Sequence, residues 1–367
     1  HMPSFGAFAS TTAHRTTSTS TSGRGSSYTR PQRPRASSVP AALIRTAAAA
    51  VDSTSSRTMP DNGGPSVLVV GAGRVGTYLA CKFAQAGGRV ILKGSKPALA
   101  KYALQHHVDS LCAQAGVEFI REYTECRDQI VDFVFISVKT YDLAAVKAEL
   151  DECNVRPRIA ILVHNGIVSP LFDKSVRVVI PQSYDFVETP GEGCGVKIHV
   201  KNEEKPWVMP ATAEAREVEA LLRGSGMLGE ADPTFPYGLM RKFFINGVAN
   251  LLSIVGDCDC NGLLANHASR MEDLYREFTA VLKVPHADAF AMLPEDFHEV
   301  VFQGLASYGT HFPSTKMDFD AGAALEIDSL NGYVCKMARE QGLPSPANDA
   351  LVDEVNALIA KRDANKN

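Results

Sequence analysis

An α/β chain is predicted: a parallel-sheet domain over residues 63–233, then an all-helical domain over 234–367, behind a disordered targeting segment over 1–62. Three observations predict it. Short apolar runs at 66–70, 89–92, 131–138 and 158–164 are separated by helical spacings, the pattern of strands buried on both faces of a parallel sheet. From Tyr237 onward apolar residues recur at helical spacing instead. No Asp or Glu occurs in the first fifty residues.

That first stretch is dominated by Ser, Thr and Ala. Between residues 2 and 57 it carries seven Arg, no Lys and one acid, Asp52. A basic, hydroxyl-rich, acid-poor leader reads as an organelle transit peptide; the plainer alternative is a low-complexity tail. Ser and Thr outnumber the helix formers, which favours a plastid (chloroplast) stroma over the mitochondrial matrix. Deleting residues 1–60 is expected to leave activity and melting temperature unchanged. A thermal melt of the truncated chain beside the full-length one checks this, and a lowered midpoint would contradict it.

Beyond residue 61 the chain holds 30 basic and 39 acidic residues, a net charge of about −9. So acidic a body argues against nucleic acid as partner. No apolar run approaches the length of a membrane span. The eight cysteines are scattered; only Cys258 and Cys260 lie close together, so no zinc set is completed and no metal is expected. Reduced thiols are expected.

The first strand, Ser66–Val70, runs directly into Gly71-Ala72-Gly73-Arg74-Val75-Gly76, and a helical pattern follows to a second strand at 89–92. A GxGxxG between strand and helix is a dinucleotide-binding turn, which makes the domain Rossmann-type. Gly71 permits the turn, Gly73 admits the pyrophosphate, and Gly76 lets helix meet strand. NAD-preferring sites place an acid after the second strand. Leu92-Lys93-Gly94-Ser95-Lys96 has none. Lys93, Ser95 and Lys96 suit a 2′-phosphate, so NADPH is the expected cofactor, although lysines on such a turn are often merely solvated.

Ligands of parallel sheets sit at the carboxyl ends of strands. Lys139 and Asn165 follow the third and fourth apolar runs and are candidates for the nicotinamide and substrate side; a capping cation and an ordinary Asn-Gly turn are the plainer readings. Extended segments at 176–180 and 196–200 and a helix at 213–222 finish the domain, with a polar connector at 229–236.

Residues 237–256 are almost wholly apolar, at helix length and without proline. Lys242, Asn246 and Asn250 interrupt them at intervals of four, which stacks the three within about 80° on one face. The stripe either faces water or lines a polar cleft. Flanks as apolar as Phe243, Phe244, Leu251 and Leu252 favour the cleft, because a buried ammonium costs several kcal/mol without a partner. Further helices are expected at 269–281, 287–292, 297–305, 323–340 and 348–359, with a loop at 313–318.

These residues together resemble the ketopantoate reductase (2-dehydropantoate 2-reductase) family over most of 65–360. The motifs are GAGRVG at 71–76, SVKTYDL at 137–143, HNGI at 164–167, RKFFINGVAN at 241–250, PSTKMD at 313–318, EIDSLNG at 326–332 and GLPSPAN at 342–348. The resemblance implies NADPH-dependent reduction of a 2-oxo acid, most simply 2-dehydropantoate to pantoate. It implies Lys242 as proton donor and Glu326 as the partner that orients it. It implies Asn246 and Asn250 as substrate or cofactor contacts and Ser314 as a ligand of the substrate carboxylate, with Lys139 and Asn165 in the cleft near the nicotinamide. The chain departs from the pattern at Ser95, at Lys316 (an extra cation beside the implied carboxylate site) and across 181–188. Alternatives are the same chemistry on a branched or thioether-bearing 2-oxo acid, or a non-catalytic NADP(H)-sensing module. The expected partners are a small-molecule 2-oxo acid and, in a homodimer, a second copy of the chain, with neither nucleic acid nor membrane.

Overall fold

The computed structural model describes residues 64–94, 105–168, 171–189 and 195–365. Residues 1–62, where a targeting segment is expected, lie outside the described residues, as do Ser95 and Lys96. Six parallel strands form the main sheet in the order β3-β2-β1-β4-β5-β6: β1 Ser66–Val70, β2 Arg89–Lys93, β3 Glu118–Ile120, β4 Ile130–Ile136, β5 Arg156–Leu162 and β6 Ser175–Arg177. Side chains alternate between its faces. Val67, Val69, Phe133, Phe135, Ile159 and Ile161 enter one core with helix α1, Arg74–Gln85. Leu68, Val70, Val134, Ile136 and Leu162 enter another, with Leu143, Val146 and Leu150 of the helix Leu143–Glu152. Burial on both faces is why these strands read as unbroken apolar runs.

Four strands depart from the sequence expectation. The short edge strand β3 carries too few residues to signal itself. β7 (Ser183–Thr189) and β8 (Gly195–Lys201) make an antiparallel hairpin, so 181–188 is extended, and β9 (Trp207–Pro210) runs parallel to β10 (Gly229–Asp232). The supposed polar connector therefore begins as a strand. Its sequence, Gly-Glu-Ala-Asp, has little strand propensity; pairing with the buried Trp207 and Met209 overrides it.

The helical part is built on the helix Phe235–Gly256, hereafter the central helix, which opens with Pro236 in its first turn and stops at Asp257 in left-handed conformation (φ 46°). Phe243, Phe244, Val248, Leu251 and Leu252 join a core with Phe278, Val281, Val301, Val334 and Val355. Each such side chain contributes about 1.5–3 kcal/mol by burial. No single helix among the described residues is long and apolar enough to cross a membrane. Two local expectations are corrected. The 313–318 loop is a helix, Ser314–Asp320, started by Pro313. The helix expected over 323–340 is instead a 3₁₀ turn, Ile327–Ser329, followed by a helix, Asn331–Gln341; Leu330, at φ −115° and ψ −114°, breaks the two apart.

Candidate active site

Chain reversal between β1 and β4 puts the topological switch point where Gly71 and the Ser137–Thr140 turn leave the sheet. The glycine turn is tightly specified. A Cβ on Gly76 would come within 1.9 Å of the Gly71 carbonyl oxygen. The Ser137 hydroxyl donates toward the carbonyls of Val70 and Gly71, each at 3.0 Å. A Cβ on Gly73, by contrast, would meet nothing within 4 Å, and α1 begins there with no side-chain cap and no acid in its first turn. Open space before a positive helix terminus fits a pyrophosphate. Arg74 stands beside it, partly exposed, 3.9 Å from Asp185. Lys93 has partners within the protein. Its ammonium lies 3.4 Å from Glu149 and 4.6 Å from the Tyr123 ring centre, so its charge is engaged within the protein.

A narrow cleft lies between the end of β5, the β6 segment and the central helix, lined by His164, Asn165, Gly166, Arg177, Lys242 and Asn246 among others. Of the polar stripe, Lys242 and Asn246 face it. The Lys242 Nζ donates to the Ile180 carbonyl at 2.8 Å. Burial, with the Arg177 charge added to it and Glu326 opposing both, pulls its proton affinity down to about 8. Asn250, one turn on, is buried and turned elsewhere: its Nδ2 donates to Thr315 Oγ1 at 3.1 Å.

Glu326 was expected as the direct partner of Lys242, and here it has other partners. Its Oε1 accepts the Thr140 N–H at 3.1 Å, and its Oε2 lies 3.5 Å from the Lys139 ammonium. Lys139 is itself 2.6 Å from Asp318. The β4 turn thus presents a cation and a free amide to one buried carboxylate, which satisfies both of its oxygens. Ser329 closes the same junction: its hydroxyl is 2.9 Å from that of Thr140, and its carbonyl accepts the Ile167 N–H at 2.8 Å. Gly166 is required there, since at φ 72° a Cβ would stand 2.2 Å from the Ser329 oxygen. Ser314 is exposed at the start of its helix. Lys316 does not add a free cation beside it; Asp320 (2.6 Å) and Asp257 (2.9 Å) hold its ammonium.

Two residues escaped the sequence reading. Asp318 sat inside a motif whose other members drew attention. Arg177 was announced only as one charge in an otherwise apolar strand. Its Nη2 donates to the carbonyls of His164 and, at 3.0 Å, of Gly166. His164, under burial and the Arg177 charge, is pushed down to about 3 and is neutral.

Comparison with known proteins agrees with this layout. The family model described as Ketopantoate reductase PanE/ApbA matches residues 67–171, and Ketopantoate reductase PanE/ApbA C terminal matches 236–359. A 2-dehydropantoate 2-reductase of Mycobacterium tuberculosis is 26% identical over 294 residues, 78% of this chain and 95% of that protein. A dimeric ketopantoate reductase from Staphylococcus aureus, 19% identical, matches 81% of this chain and 99% of its own with a TM-score of 0.60. D-mandelate dehydrogenase, solved with NADH and anilino(oxo)acetate, is 18% identical, with a TM-score of 0.61 over 80% and 99% of the two chains. These two structures share the fold.

Proposed function

The chain belongs to the ketopantoate reductase family, and from that premise we propose that it reduces a 2-oxo acid to the 2-hydroxy acid with NADPH, most simply 2-dehydropantoate to pantoate. The observation that carries this is Lys242, a desolvated ammonium in a cleft with Asn246 and Asn165 at the carboxyl end of β5. Gly71–Gly76 would hold the dinucleotide, which when bound supplies the hydride. As a hydride reaches the carbonyl carbon, negative charge grows on oxygen. Lys242 stabilises that charge and passes its proton to the oxygen, leaving a neutral amine that solvent reprotonates. Asn246 and Asn165 present amide donors to the bound acid. Glu326 holds Lys139 and the Thr140 amide and adds negative charge near Lys242.

The test is NADPH oxidation across a panel of 2-oxo acids, with ketopantoate beside branched and thioether-bearing acids. NADPH should bind at least about tenfold tighter than NADH, because no acid follows β2 within Leu92–Lys96. Comparable dissociation constants would refute the cofactor preference. Turnover of another acid in place of ketopantoate would reassign the substrate. Tight NADPH binding with no turnover of any acid would favour the sensing module. A homodimer in the plastid stroma is proposed with this activity; the leader's composition supports the compartment, and the dimeric Staphylococcus aureus relative supports the assembly.

A further inference from the structure

Arg177 has no role in the chemistry just derived, yet it is placed to affect every part of the cleft. Its Nη2 grips the carbonyls of His164 and Gly166, the two residues flanking Asn165. Its Nη1 is shut off from solvent with no hydrogen-bond partner. Three residues further along the same segment, the Ile180 carbonyl holds the Lys242 ammonium. Arg177 and Lys242 line one cleft. Two cations therefore share a desolvated space, and the nearest acid, Glu326, is engaged by Lys139 and Thr140.

We propose that Arg177 is a positioning residue for the reduction: its guanidinium ties the Asn165–Gly166 turn to the segment that anchors Lys242, and its fixed charge drives Lys242 to release its proton. The proposal rests on the reductase reading above. The sign follows from who faces Lys242. From β6 comes Arg177, a cation throughout the neutral range. From the end of β5 comes His164, which is neutral. From the turn before the 3₁₀ segment comes Glu326, with Lys139 and Asp318 behind it. Arg177 lines the same cleft as Lys242 and acts against Glu326: the cation favours the neutral amine and makes Lys242 a stronger acid, and the carboxylate favours the charged form. Arginine suits the task because one guanidinium nitrogen, Nη2, can donate to both carbonyls while the group keeps its charge.

The experiment is the kcat–pH profile of Arg177→Gln and Arg177→Lys, beside competitive acetylation of Lys242 with acetic anhydride across pH, read by peptide mass spectrometry. Arg177→Gln should raise the alkaline limb, and the labelling midpoint of Lys242, by about one pH unit. Arg177→Lys should hold both near wild type while kcat falls several-fold, because an ammonium differs in shape and does not place a donor where Nη2 stands. A limb and labelling midpoint that stay put in Arg177→Gln would overturn the proposal and reduce Arg177 to a structural tie. Should Arg177→Gln not fold, Arg177→Lys decides alone, and a wild-type kcat in that variant refutes the positioning role. The labelling needs no substrate. A shift in a protein that reduces no 2-oxo acid would uphold the effect of Arg177 on Lys242 and remove only the reductase reading.

Discussion

Lys242→Ala is expected to lower kcat by about 10²–10⁴-fold, the span for losing a positioned proton donor. The NADPH dissociation constant should change little, because the phosphates are assigned to Gly71–Gly76, far along the sequence and after a different strand. Charge developing on the substrate oxygen would then have no proton donor beside it, only the amides of Asn246 and Asn165 and the more distant grip of Arg177 on the backbone. Lys242→Arg should not rescue: a guanidinium holds its proton at any working pH and has a different shape. The pH profile supplies an independent check. With its proton affinity lowered to about 8, Lys242 is charged below that pH and neutral above it, so kcat should decline as pH rises through about 8. An unperturbed lysine would postpone the decline beyond pH 10. Near-normal kcat in both variants would show Lys242 to be a bystander cation.

Legibility differed between parts of the molecule for physical reasons. β1, β2, β4 and β5 are buried on both faces, so each had to be an unbroken apolar run and could be read directly. The glycine turn could be read because no other residue fits at Gly76. β10 could not, because Gly229–Asp232 is a strand only by virtue of its partner β9. The helical repeat correctly put Lys242 and Asn246 in one cleft. It does not say what each side chain meets across the gap, and the contact of the Asn250 carboxamide with Thr315 has no mark in the repeat. Pairing across the junction is harder still. Lys139 and Glu326 are 187 residues apart, and only the order of strands in the sheet decides that the β4 turn, with Lys139 and Thr140, arrives at that carboxylate. Lys242 meanwhile settles on a backbone carbonyl, a partner that leaves no residue-specific mark in a sequence.

Glu326→Gln separates the two roles open to this carboxylate. Glutamine keeps the shape, and its carbonyl can still accept the Thr140 N–H, so the junction should stay closed and the melting temperature nearly unchanged. What it removes is the negative charge that opposes the proton loss of Lys242. The alkaline limb of kcat should therefore move to lower pH, opposite in direction to the Arg177→Gln shift, and for a shift of about one pH unit kcat at pH 7.5 should fall about threefold. Glu326→Ala should be more severe, near the effect of Lys242→Ala. It also strips the part-buried Thr140 amide of its acceptor, at a cost of about 1 kcal/mol in stability. Because Glu326 acts through the charge state of Lys242, the Lys242→Ala/Glu326→Ala double variant should lose much less kcat than the product of the single losses. A purely structural Glu326 predicts the reverse set of results. Glutamine would then keep both kcat and the pH limb, alanine would lower only the melting temperature, and the double variant would combine the two single effects multiplicatively.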